Sequence, residues 1–168
     1  LRMNNITYGG DWDFSDLKHI NLSDNELDKY LLQRDDLVFN RTNSKDLVGK
    51  TAVYKLEKQM AIAGYLIRVR TNEKANTDYI SGFLNSKQGK DILRGMCKNI
   101  IGMANINAQE LQDIRLPVPP RGLQEQFKNR IAIISGQKQF LREQLKLSEG
   151  LFQSLLQKAF KGELVKES

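Results

Sequence analysis

All three prolines of this 168-residue chain fall in one run, Leu116-Pro117-Val118-Pro119-Pro120-Arg121-Gly122-Leu123-Gln124-Glu125-Gln126. Proline fixes φ, removes an amide donor and pushes the residue before it to extended geometry. Pro119-Pro120 therefore cannot lie inside a helix. The 48 residues after it contain no proline and carry a helical pattern almost to the end. The run is a boundary between a globular head and a helical tail. The expected division is residues 1–120 as the head, 121–161 as one long helix and 162–168 as a short tail.

The tail has a seam. Phe127, Ile131, Ile134, Lys138, Leu141, Leu145, Ser148, Phe152, Leu155 and Ala159 step by four and three without a break. That is the 3.5-residue period of a coiled coil, sustained over about four heptads. Gly136 and Gly150 lower helix propensity by about 1 kcal/mol each against Ala. A helix of this length, roughly 55–60 Å at 1.5 Å per residue, outruns a head of this size. Its seam calls for a partner helix, or else the helix bends back at Gly136 or Gly150.

The head reads as mixed α and β. Residues 27–32 suit a short helix or a strand. Residues 36–41 read as a strand around Leu37, Val38 and Phe39, followed by a polar loop, Arg41-Thr42-Asn43-Ser44-Lys45. Residues 48–56 and 61–70 read as further strands. In the second, Tyr65, Ile67 and Val69 share one face at period two and Arg68 and Arg70 the other. From Asp78 the period becomes helical. Tyr79, Ile80, Phe83 and Leu84 mark one helix, and Ile92, Leu93, Met96 and Cys97 a second. Asn107 and Glu110 stand three apart, as an amino-cap and its reciprocal acid do. Residues 114–118 read as a last strand. The fold class is α+β.

Composition excludes several kinds of chemistry. A lone Cys97 cannot form an internal disulfide, which suits the cytoplasm, and one histidine, His19, gives it no built base. No pair of Cys or His is present to bind zinc, so no metal site is expected. There is no phosphate-cradling GxxxxGK loop. No Glu is followed two places later by Lys, and no Asn-Pro-Pro-aromatic or Asp-Pro-Pro-aromatic tetrapeptide occurs. No catalytic residue is assigned. No apolar run approaches the roughly 18 residues of a membrane span.

What remains suits binding. The net charge is +6. Residues 1–120 hold 17 Lys and Arg against 15 Asp and Glu, and residues 121–168 hold 9 against 5, so the excess lies on the tail. DNA contact by the head then needs local patches. Two polar loops offer them: Arg2, Asn4 and Asn5 in one, and Arg41, Thr42, Asn43, Ser44 and Lys45 in the other, with Lys50 nearby. Arg suits guanine edges, Asn suits adenine, and hydroxyls and Lys suit phosphate.

At these residues the chain resembles a known family. Leu1-Arg2-Met3-Asn4-Asn5-Ile6, Asp36-Leu37-Val38-Phe39-Asn40-Arg41-Thr42-Asn43-Ser44, Leu47-Val48-Gly49-Lys50, Ala104-Asn105-Ile106-Asn107, and Leu116-Pro117-Val118-Pro119-Pro120 with Gln124-Glu125-Gln126 stand in the order seen in specificity (S) subunits of type I restriction-modification systems. The resemblance covers nearly the whole chain. It implies a target recognition domain that reads one half of a bipartite double-stranded DNA site, followed by a conserved helix. A full-length S subunit has two of each, with the helices paired antiparallel as a ruler. It has no catalytic activity and no cofactor of its own. It positions methyltransferase (M) subunits that use S-adenosylmethionine to methylate adenine, and restriction (R) subunits join the complex.

The resemblance implies the half-length form for this chain, with one recognition domain and one helix. The resemblance therefore implies a homodimer through the long helix, cytoplasmic and without membrane contact. Arg2, Asn4, Asn5, Arg41, Thr42, Asn43, Ser44, Lys45 and Lys50 are the implied DNA contacts. Asn105 and Asn107 are expected to cap and tie loops. Arg130, Arg142 and Lys146, outside the seam, are expected to face the M subunit or the DNA backbone. The chain opens on Leu in mid-motif, and an amino-terminal segment is expected to precede it. The competing expectation is a truncated S-like coiled-coil protein that binds the M subunit or another S chain without reading DNA.

Overall fold

A computed structural model describes residues 1–44, 46–97 and 104–164. The chain divides into two units, Leu1–Glu125 and Gln126–Ser168. The first is built on a three-stranded antiparallel sheet of β1 (Leu37–Asn40), β3 (Thr51–Val53) and β4 (Leu66–Val69) in the order β3-β1-β4. The register sets Val38 against Ala52 on one side and Arg68 on the other.

All four residues of β1 are buried. The reason is that both faces of the sheet are covered, so Leu37, Val38 and Phe39 run on as consecutive apolar residues instead of alternating with polar ones. On one face Leu37 and Phe39 meet Val48, Leu84, Leu93, Cys97, Ala104 and Ile106. On the other, Val38, Ala52, Tyr54 and Leu66 meet Ile6, Leu32 and Ile62. Burial of side chains of this kind stabilises by about 1.5–3 kcal/mol each.

The helices begin where the sequence supplies caps. α1 (Asp24–Tyr30) starts at Ser23, which forms a capping box with Glu26. α2 (Thr77–Asn85) starts at Asn76, whose side chain accepts from the amides of Asp78 and Tyr79. α3 (Lys87–Met96) starts at Ser86, which accepts from Gly89 N. Gly89 is required there, because a Cβ would sit 2.1 Å from the carbonyl oxygen of Phe83. α4 (Ala108–Gln112) starts at Asn107, with Glu110 closing the capping box as its spacing predicts.

Three local expectations change. The loop after β1 contains a short strand, β2 (Thr42–Asn43), paired antiparallel with β5 (Ala104–Asn105). Residues 114–118 form no strand, since Pro117 has no N–H to give a ladder. Strand β4 begins only at Leu66, after a turn at Gly64 and Tyr65. Ile67 and Val69 do share a face, but Tyr65 packs with Leu66 against the opposite cluster.

The Pro-Pro boundary is fixed by one side chain. Gln124, in the first turn of α5 (Arg121–Phe160), is fully buried. Its Oε1 accepts from Asn76 N at 2.7 Å, and its Nε2 donates to the carbonyls of Lys74 at 3.0 Å and Pro119 at 2.7 Å. Asn76 Nδ2 in turn donates to Glu125 Oε1 at 2.8 Å. The amino-cap of α2 and the start of α5 thus share one network.

In the second unit, α5 continues as one helix to Phe160 through Gly136 and Gly150. Its 40 residues correspond to about 60 Å. Gly162, at φ 73°, follows its end.

Candidate nucleic-acid interface

The two polar loops singled out in the sequence meet at Met3. This residue lies in a 3-10 turn, Met3–Asn5, closed by Arg2 N donating to Asn5 Oδ1 at 2.8 Å. Lys50 Nζ donates to Met3 O at 2.6 Å, and Asn43 Nδ2 lies 3.9 Å from Met3 Sδ. Residues 47 apart in sequence are brought together because the amino-terminal segment covers the sheet face that carries Val38, Ala52 and Tyr54.

Within that site the candidates divide. Asn5 is buried, and its Nδ2 donates to the carbonyls of Asp13 and Asp16. It holds the turn and presents nothing outward. Lys50 is also buried, with its ammonium on a backbone carbonyl, and burial holds it below the usual lysine range. Arg2 pairs with the Asp16 carboxylate at 2.7 Å. Asn4 and Ser44 are exposed. Lys45 lies outside the described residues.

Arg41, Thr42 and Asn43 are half-exposed and held by the β2–β5 pairing. Arg41 Nε and Thr42 Oγ1 both donate to Asn105 Oδ1, at 3.2 and 3.1 Å. Asn43 Oδ1 accepts from Ser44 N at 2.8 Å. Asn105 is therefore a tie between loops. It orients one guanidinium and one hydroxyl along a short edge beside the Asn43 amide, groups suited to base edges and phosphates.

Sequence reasoning missed a second polar cluster, next to Lys50. Lys90 of α3 is only 5% exposed, and its Nζ donates to Gly49 O at 3.1 Å, next to Lys50. It also lies 4.9 Å from the centroid of the Tyr8 ring. Arg94, one turn on, donates to the Tyr8 hydroxyl at 2.9 Å. Burial, and then repulsion from Arg94 and Lys50, pushes the Lys90 ammonium down to about 8. The spacing of Lys87, Lys90 and Arg94 marks a basic helix face in the sequence, but nothing local marks Tyr8 as its neighbour.

No family model matches the chain. It is 28% identical over 171 residues to the type I restriction enzyme EcoKI specificity subunit of Escherichia coli, covering 98% of this chain and 37% of that protein. It is 27% identical over 154 residues to the type I restriction enzyme StySPI specificity subunit of Salmonella potsdam, covering 88% and 33%. The chain is specificity-subunit-like. It spans about a third of the length of these curated relatives.

In the second unit of this specificity-subunit-like chain, α5 exposes two apolar rows. One is the expected seam, with Ile131, Ile134, Leu141, Leu145, Phe152 and Leu155 all exposed. The other was not anticipated: Ile133, Phe140 and Leu147 stand seven apart, with Leu151 one turn on, and all are exposed. Residues seven apart share a helix face, so this second row is distinct from the first.

Among the described residues, no three His, Cys, Asp or Glu are grouped to hold a metal. No helix among the described residues is long and apolar enough to cross a membrane. Cys97 is buried, with its Sγ donating to Leu93 O at 3.1 Å.

Proposed function

We propose that this chain is a non-catalytic DNA sequence-recognition subunit of a type I restriction-modification system. Its head, residues 1–120, reads a half-site of a bipartite target. Its long helix joins two copies and spaces their heads, and the complex positions the adenine methyltransferase (M) subunit. R subunits join through that complex. S-adenosylmethionine belongs to the M subunit.

The observation that carries the proposal is similarity to specificity subunits along almost the entire chain, 98% of it for one relative. The Arg41-Thr42-Asn43 edge, oriented by Asn105, supplies donors for base reading. We assign the antiparallel homodimer to the seam through Phe127, Ile131, Ile134, Lys138, Leu141, Leu145, Ser148, Phe152, Leu155 and Ala159. We assign the second row, Ile133, Phe140, Leu147 and Leu151, to the M subunit, because a helix already paired through one face still has that row to cover.

Alanine at Arg41 and Asn43 tests the DNA reading. The double variant is expected to lose sequence preference while keeping non-specific binding. Preference equal to that of the unaltered chain rejects the proposal. The uncovered rows of α5 favour one second reading, an S-like interaction protein that binds helical partners without DNA. Under it the two substitutions change nothing.

A further inference from the structure

A lysine buried to 95% normally has a carboxylate partner, because an uncompensated charge out of water costs several kcal/mol. Lys90 has none. Among the described residues its partners are one backbone carbonyl, Gly49 O, and the face of Tyr8. Lys50, close enough to repel it, is likewise buried and likewise bonded only to a carbonyl, Met3 O. Arg94 shares the single carboxylate of Asp91 with Lys87. The group therefore carries more positive charge than it neutralises.

Tyr8 holds the position an anion would take. Its ring lies against the Lys90 ammonium, and its hydroxyl oxygen accepts from Arg94. It is 41% exposed, next to Gly9, whose Cβ position meets nothing within 4 Å. An incoming phosphate offers both cations a stronger acceptor than a neutral phenol does. We infer that Lys90 and Arg94 form a phosphate-binding site, with Tyr8 as its displaceable occupant, that takes a backbone phosphate of the DNA read by the head. The inference rests on the DNA reading for the source of the phosphate, and on the geometry alone for the site.

The test has two arms on the full chain. In the first, binding to a labelled mixed-sequence duplex is followed by fluorescence anisotropy between about 0.05 and 0.2 M salt. Lys90→Met and Arg94→Gln are each expected to weaken binding about five- to tenfold near 0.1 M, equally for all sequences. Each is expected to make the log–log salt slope shallower by about 1. Tyr8→Ala is expected to bind at least as tightly as the unaltered chain, since the occupant is gone. Arg94 is half-exposed, so Arg94→Gln keeps the test alive should Lys90→Met fail to fold. In the second arm, inorganic phosphate is expected to raise the melting temperature of the unaltered chain and of neither cation variant.

Phosphate stabilisation lost in both variants, with duplex binding absent throughout, supports the site and removes the DNA reading. Duplex binding with unchanged salt slopes and no phosphate effect overturns the site and leaves the DNA reading standing. Weaker duplex binding by Tyr8→Ala overturns the displacement.

Discussion

Gln124→Ala is expected to be among the most damaging single changes in the head, though it removes a polar side chain near the end of the unit. Three hydrogen bonds go at once. The amide of Asn76, paired with Gln124 Oε1 at 2.7 Å in a fully buried contact, loses its acceptor. A buried donor left unsatisfied costs about 1–3 kcal/mol. The carbonyls of Lys74 and Pro119 lose the Nε2 donor. Each bond contributes about 0.5–1.5 kcal/mol net, and water recovers part of that at these half-buried oxygens. The total is about 2–5 kcal/mol. At roughly 3 °C per kcal/mol for a unit of this size, the melting temperature falls by roughly 6–15 °C. Arg121→Ala is the matched control. Its half-exposed ion pair with Glu125, at 3.1 Å, is expected to matter by less than about 1 kcal/mol. Calorimetry of both variants checks the difference. A Gln124→Ala melting temperature within about 2 °C of the unaltered chain refutes the reasoning.

Three further outcomes follow from named groups. Lys90 is held down to about 8 against an ordinary 10.5, so between those values the unfolded chain keeps a proton that the folded chain has released. The unaltered chain therefore gains stability over Lys90→Met as pH rises through that window, and the difference is flat below it; urea titrations at stepped pH check the sign. Asn40 is fully buried with neither side-chain polar atom bonded among the described residues, so Asn40→Leu is expected to stabilise by about 1–3 kcal/mol, and an unchanged urea midpoint counts against this. Light scattering of the purified chain is expected to give twice 19.3 kDa, with Leu141→Lys returning it to the single-chain mass. A single-chain mass for the unaltered protein contradicts pairing through the seam.

Much of the fold is legible in the chain because local rules and burial agree. Strand β1 is plain since both its faces are covered, and the α4 cap is plain since Asn107 and Glu110 stand at the required spacing. What fails depends on distant partners. The pairing of Thr42 with Asn105 joins two-residue strands 63 positions apart, too short to leave a period. Residues 114–118 look extended and apolar, but Pro117 has no N–H to give a ladder. The site is legible as residue types and not as geometry. Arg41, Thr42 and Asn43 advertise a polar loop, yet nothing near them announces Asn105 as their tie. Asn5 and Lys50 look like exposed polar residues in the sequence, but the fold buries both. Lys90 looks like any helix-surface lysine until Gly49 and Tyr8 are seen around it.

DNA recognition by the head is tested most directly by selecting duplexes from a randomised pool with the full chain, alongside the Arg41→Ala, Asn43→Ala double variant. The expected result is a short enriched motif, recovered as two copies at a fixed spacing set by the paired helices, and lost with the double variant. No enrichment, or the same motif recovered by both proteins, contradicts sequence reading by this edge.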